Sequence, residues 1–263
     1  MGFGPHLVTQ QQQGRDKPAN RVRTMFGKKA TPKAPRNPLP PGKYRMGGEH
    51  FKDDAAFIRT AVQDVERLEA YCGLTTQSRL LDWGCGAGRL AVGVRERYAD
   101  QGGRIADYHG VDIQPELVEW ATANLAGPGF RFTLLDVSNE RYNPDGTPDR
   151  TIGAEPGTVD VFYAYSVFSH MNDDDTPAYL GLIAEALAPG GRAFVTCFVE
   201  EDVPGWEENP DGYGPLEWKG RLHCTRFARW HFEDHVNGAR LAVDRFEYGR
   251  ETDGQSLYVL RHR

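Results

Sequence analysis

The sequence has few cysteines and no way to pair them by pattern. Cys72, Cys85, Cys197 and Cys224 are scattered over 263 residues, with no CxxC pair and no histidine at zinc-finger spacing. That argues against a disulfide framework and against a structural zinc site. Free thiols fit a reducing compartment, so a cytoplasmic protein is expected. No apolar run approaches the roughly 18 residues of a membrane span, and the first thirty residues lack the apolar core of a signal peptide. No stable membrane insertion is expected. Acids are nearly missing from residues 1–45, where ten Lys and Arg face Asp16 alone. The segment carries +9 and, from a total of −6, leaves −15 on the remainder. An acidic body lacks the basic track that a phosphate backbone needs, which disfavours a nucleic acid as partner.

Residues 1–43 are polar, basic and proline-rich, with no apolar period to start a core, and read as a disordered tail. From Asp53 the pattern changes. Phe57, Ile58, Val62, Val65, Leu68 and Tyr71 recur at three- and four-residue spacing before Gly73. This predicts an amphipathic helix capped by Asp53 or Asp54. Beyond it, strands are predicted at 79–84, 108–113, 130–137, 159–168 and 192–199, and helices at 88–99, 115–126 and 176–188. The C-terminal stretch reads as two strands joined by a turn at Thr252 to Gly254. Alternating strands and helices imply right-handed crossovers and an α/β fold: a doubly wound, mostly parallel seven-stranded sheet ending in an antiparallel hairpin. The domain is expected over 44–263.

"LLDWGCGAGRL" places Asp82, Gly84, Cys85, Gly86 and Gly88 where the first strand turns into its helix. Ligands of open α/β sheets bind at the carboxyl ends of strands, where glycines let them lie on the backbone. The third glycine comes one residue sooner than in a dinucleotide fingerprint. Asp112 ends the second strand, where an acid can accept from both hydroxyls of a ribose, and Asp136 ends the third, where it can accept from an adenine amine.

With these motifs, and with "YHGVDIQPELVEWA", "FRFTLLDV", "VDVFYAYSVFSHM" and "YLGLIAEALAPGGRAFVTCF" in order, the chain from about 53 to 263 resembles the class I S-adenosylmethionine-dependent methyltransferases. The resemblance implies S-adenosyl-L-methionine as cofactor and S-adenosyl-L-homocysteine as product. It implies that Gly84, Gly86 and Gly88, with Cys85 among them, line the methionine end, and that Asp82 sits near the ammonium. Asp112 would hold the ribose and Asp136 the adenine amine, with Ile113 and Val137 flanking the ring and Tyr165 at the end of the fourth strand.

A sulfonium already carries the methyl in activated form, so the protein must aim a nucleophile, exclude water and receive a proton where the acceptor is a hydroxyl. His170, after the fourth strand, is the candidate general base. Asp173, Asp174 and Asp175 read as companions of a helix start, with Thr176 as N-cap and Pro177 at the first helical position. A magnesium site at these acids is the lesser alternative. Two long insertions, about 138–158 and 200–224, are expected to form the acceptor pocket. The second offers Trp206, Tyr213, Trp218 and His223 as flat or polar walls, and Glu200, Glu201, Glu207 and Glu208 for hydroxyls or a cationic amine. "GKYRMGGEHF" is expected to form a lid in which Tyr44 closes over the cofactor, Arg45 pairs its carboxylate and Gly47 and Gly48 act as hinges. Relatives that methylate nucleobase amines carry N-P-P-Y after the fourth strand; Tyr165 to Phe168 stand here instead. A small-molecule acceptor follows, with O-methylation of a sugar, glycolipid or secondary-metabolite hydroxyl preferred. N-methylation of a small amine is the alternative, and an inactive binding protein of the same fold the second. A homodimer is a further expectation.

Overall fold

The computed structural model describes residues 37–46 and 48–263. Most of the basic tail, up to Arg36, and the hinge expected at Gly47 lie outside the described residues. Residues 37–40, assigned to that tail, instead make contacts with the domain. Leu39 lies against the core, Pro40 is buried, and the Asn37 amide donates to Glu96 at 2.6 Å.

Helix α1, Asp54–Cys72, begins as predicted: the Asp53 carboxylate accepts from the Ala56 N–H at 2.7 Å. It ends at Gly73, which takes φ 73°, the left-handed conformation that closes helices with glycine. Then β1 (Arg79–Trp83), α2 (Arg89–Arg97), β2 (Asp107–Asp112), α3 (Pro115–Leu125), β3 (Phe130–Leu134) and β4 (Val159–Ala164) alternate. They lead to α4 (Asp175–Ala186) and β5 (Leu187–Glu200), followed by β6 (Trp206–Glu208), β7 (Thr225–Ala228), α5 (Arg229–Gly238), β8 (Leu241–Glu247) and β9 (Ser256–His262).

The expected sheet is present. Strands β3, β2, β1, β4 and β5 lie side by side in parallel; β9 runs antiparallel beside β5, and β8 antiparallel beside β9. Two strands and a helix are additional. Phe198 to Glu200 of β5 pair with β7, which carries β6 on its other edge, so the second insertion grows from the last turn of the central strand. Each strand points alternate residues to opposite faces. Leu80, Val161 and Tyr163 meet α1, α2 and Leu125 of α3, whereas Leu81, Phe162 and Ala164 meet α4 and α5.

Helices α1 and α2 cross at Gly93. A Cβ there would stand 2.6 Å from the Ala61 carbonyl carbon, and rigid backbone leaves no room to relax. Gly93→Ala should therefore destabilise by about 1–3 kcal/mol through overpacking, read as a lower denaturant midpoint at an unchanged slope. Unchanged stability would mean that the two helices do not pack this closely.

Candidate functional site

The chain leaves β1 through Gly84-Cys85-Gly86-Ala87-Gly88. The three glycines have φ of 79°, 52° and 81°, where a side chain is strained. A Cβ on Gly84 would come 2.5 Å from Val167 Cγ2, and one on Gly88 2.6 Å from Leu125 Cδ1. One on Gly86 would meet nothing. The open space beside Gly86 belongs to a cavity of about 830 Å³ at the carboxyl ends of the parallel strands. That volume lies in the upper part of the roughly 300–1,000 Å³ usual for small-molecule sites. Gly84, Cys85 and Gly86 line it; Gly88, expected there too, instead starts α2 and seats it against α3.

Asp112 fixes this turn to β2. Its Oδ2 accepts from the Gly86 N–H at 2.8 Å and its Oδ1 from the Gln114 N–H at 3.0 Å. Burial raises its pKa against these backbone donors. Each oxygen keeps acceptor capacity toward the cavity, where a ribose diol would need it. Asp82 is buried and accepts from the Tyr108 hydroxyl. Burial pushes its pKa up to about 7, with the Tyr108 bond and Arg89 opposing. Ile113 and Val137 line the cavity as expected, but Asp136 does not. The chain stays extended past β3, so Leu135 and Val137 turn inward and Asp136 turns to solvent, where Asn143 donates to it at 3.3 Å. Ser138 and Asn139 line the cavity nearby, but the Asn139 amide oxygen already accepts from the Arg141 and Tyr142 N–H groups at 3.0 and 3.1 Å.

Arg45 is also committed elsewhere. Its Nε donates to Pro40 O, one terminal nitrogen to Phe51 O and Lys52 O, and the other pairs with Asp54 at 2.6 Å. It pins the segment ahead of α1 over the cavity, where Tyr44, Gly48 and Phe51 form a wall, and leaves no fork for a carboxylate. The cation that reaches the cavity from below is Arg89. It pairs with Asp64 at 2.5 Å, donates to the Tyr163 hydroxyl at 3.0 Å and lies under the rings of Phe51 and Tyr165. Asp64 also pairs with Arg67 and accepts from Tyr163 at 2.7 Å. Burial works against its charge, but the two arginines outweigh it and hold the carboxyl below its ordinary range.

Tyr165, His170, Trp218 and His223, expected on the acceptor side, all line the cavity. The Tyr165 hydroxyl is tied to Thr252 at 2.9 Å, and Trp218 Nε1 donates to Tyr213 O at 2.7 Å. His170 Nδ1 donates to Leu222 O at 3.0 Å. Burial pulls its pKa down to about 4, so it is neutral at physiological pH. Trp206 and Tyr213 are not on this wall. Trp206 Nε1 donates to Met171 O, and the Tyr213 hydroxyl to Glu200 at 2.9 Å. The insertion's carboxylates are likewise occupied: Glu201 by Arg229, Glu207 by Arg226 and Glu208 by Arg221.

Residues 80–191 match a methyltransferase-domain family, and that span holds the glycine turn, Asp82, Asp112 and His170. That span carries a methyltransferase domain. The chain is 30% identical over 141 residues to the ribosomal protein L11 methyltransferase of Thermus thermophilus, a match that covers 53% of this chain and 46% of that protein. The chain thus spans about half the length of the curated relative it matches. Among solved structures it is similar to the [4+2]-cyclase SpnF (TM-score 0.55, 16% identity, 82% and 84% of the two chains). It is also similar to an S-adenosylmethionine-dependent methyltransferase from Clostridium acetobutylicum (0.52, 13%, 78% and 92%). A third is the putative methyltransferase bound to the Trm112 activator in Haloferax volcanii (0.51, 18%, 83% and 99%). At these identities the structural likenesses show the fold. Among the described residues no helix is long and apolar enough to cross a membrane.

The three consecutive aspartates divide. Helix α4 begins at Asp175, one residue ahead of the expected cap, because Asn172 does the capping: its Oδ1 accepts from the Asp175 N–H at 2.8 Å. Thr176 is buried and donates to Asn172 O at 2.9 Å, and Pro177 is the third helical residue. Asp175 pairs with Arg150, and Asp173 faces two histidines of α5. Arg89, Arg141 and Tyr142 were missed from the sequence. An arginine after a glycine turn or in a polar loop carries no spacing signal, and only the fold brings these to one cavity.

Asp82 gives a test by pH. Its folded pKa lies above the ordinary carboxyl value, so its contribution to stability is complete below about pH 4 and is lost as pH rises through about 7. Asp82→Asn keeps an acceptor for Tyr108 without the buried charge. The variant should melt several degrees above wild type near pH 8 and match it near pH 4. An equal difference at both pH values would refute the raised pKa.

Proposed function

We propose that the chain transfers the methyl group of S-adenosylmethionine to a hydroxyl of a small-molecule acceptor, with His170 as general base. The observation that carries this is the fixed tautomer of His170 in the cavity wall. With Nδ1 donating to Leu222 O, Nε2 is left as the lone-pair nitrogen. A pKa of about 4 makes it a weak base at rest. Yet oxygen becomes strongly acidic as it takes on a methyl group, so a weak, correctly placed acceptor suffices late in the step.

The bound cofactor supplies an electrophilic methyl on sulfonium. Gly84, Cys85 and Gly86 would carry its methionine end on their backbone, Asp82 its ammonium, Asp112 its ribose, and Ile113 and Val137 its ring, with Tyr165 beside the methyl. Phe51, Tyr44 and Trp218 exclude water, and alignment of the acceptor accounts for most of the rate.

The acceptor wall is aromatic and cationic. Arg141 lines it, and among the described residues its Nη1 reaches two carbonyls only at 3.5 Å. Its weakly held guanidinium would take a carboxylate, phosphate or carbonyl oxygen of the acceptor. With the four insertion glutamates already occupied, a cationic amine is the poorer fit. A protein acceptor is the second reading, favoured by the relative named for ribosomal protein L11.

Labelled cofactor offered to phenols, hydroxy acids, sugars, amines and ribosomal protein should label a hydroxyl compound. His170→Ala should cut that rate by roughly 10²–10⁴ without weakening S-adenosylhomocysteine binding. Arg141→Ala should raise KM more than it lowers kcat. Transfer to amines or to ribosomal protein alone would overturn the hydroxyl acceptor, and near-normal turnover by His170→Ala would remove it as base.

A further inference from the structure

Outside the cavity, three metal-ligating side chains converge. His231 and His235 lie one turn apart on α5, so both imidazoles leave the same helix face. Asp173 meets them from the turn before α4. His231 Nε2 stands 2.8 and 3.0 Å from the two Asp173 oxygens, and His235 Nε2 3.0 Å from Oδ1. The two Nε2 atoms are 3.1 Å apart. Each residue thus offers a ligand atom to a common point, and the three atoms lie within 4.8 Å of one another.

The spacing suits a cation. Ligands about 2.0–2.1 Å from zinc at tetrahedral angles are roughly 3.3 Å apart, so these atoms need to open by only a few tenths of an ångström. Facing ring nitrogens cannot both carry a proton without repulsion, whereas both can present lone pairs to a metal. Among the described residues Asp173 forms no ion pair with a lysine or arginine, although Glu201, Glu207, Glu208 and Glu233 around α5 and β7 all do. The backbone has made room: a Cβ on Gly205 would press within 3.3 Å of the His231 ring. The side chains of His231 and His235 are 21% and 19% exposed, which leaves solvent access to a fourth position.

We infer that Asp173, His231 and His235 bind one divalent transition-metal cation, with zinc as reference. Two imidazoles and a carboxylate select zinc, cobalt or nickel over magnesium or calcium, which prefer oxygen. None of the three lines the cavity, so the ion would not touch the reacting atoms. It would clamp α5 to the turn that carries His170.

The test is calorimetric titration of zinc chloride into the full chain after chelator treatment, with cobalt as a visible-absorption probe. One equivalent should bind, with cobalt giving the intense absorption of a four-coordinate site. Asp173→Asn and His235→Ala should each weaken zinc by roughly tenfold or more, and the double variant His231→Ala/His235→Ala should abolish it. Circular dichroism selects the variants that fold, and Asp173→Asn, nearly isosteric, serves if the histidine variants do not. The same zinc affinity in a folded ligand variant, or no binding by wild type at millimolar zinc, would overturn the site.

Discussion

The bond from the Gly86 N–H to the Asp112 carboxylate joins the end of β2 to the turn after β1, and the shape of the site depends on it. The turn can stay close to β2 only because it carries no side chains where it is crowded. Gly84 lies under Val167, Gly88 against Leu125 of α3, and Gly86 opens to the cavity. Three left-handed residues in five are unfavourable for any other amino acid. The same constraint therefore shapes the floor of the site and positions the first turn of α2.

A second set of contacts supports this floor from beneath. Arg89, the first residue of α2, is held by Asp64 of α1 and the Tyr163 hydroxyl of β4, and it supports the rings of Phe51 and Tyr165. Glu251, which pairs with Arg67, ties the turn before β9 to the same cluster. Buried ion pairs add little net stability against their desolvation, but breaking one leaves a stranded charge. The network thus couples the cavity wall at Phe51 to the wall at Tyr165.

Much of this was legible in the sequence, for physical reasons. Short apolar runs alternating with helical patterns gave the succession of strands and helices, and the glycine spacing pointed to the turn that lines the cavity. What stayed hidden was short or depended on contacts across the chain. Strands β6 and β7 are three and four residues long, and α5 buries only Phe232 and Val236, so neither leaves much of a pattern. That unread helix also concealed the four-residue spacing of His231 and His235. Asp136 was misassigned by one step of strand parity: once Leu135 faces in, its neighbour must face out. Arg45 looked free because its partners, Asp54 and the carbonyls of Pro40, Phe51 and Lys52, become neighbours only when the segment folds back.

The central claim is that the glycine turn is the floor of a cofactor site. Calorimetry with S-adenosylhomocysteine on wild type and Gly86→Leu tests it most directly, since a side chain at position 86 would project into open space rather than into the core. Wild type should bind one equivalent, and the folded variant should show none. Equal affinity in the two proteins, or no binding by wild type at millimolar ligand, would contradict it.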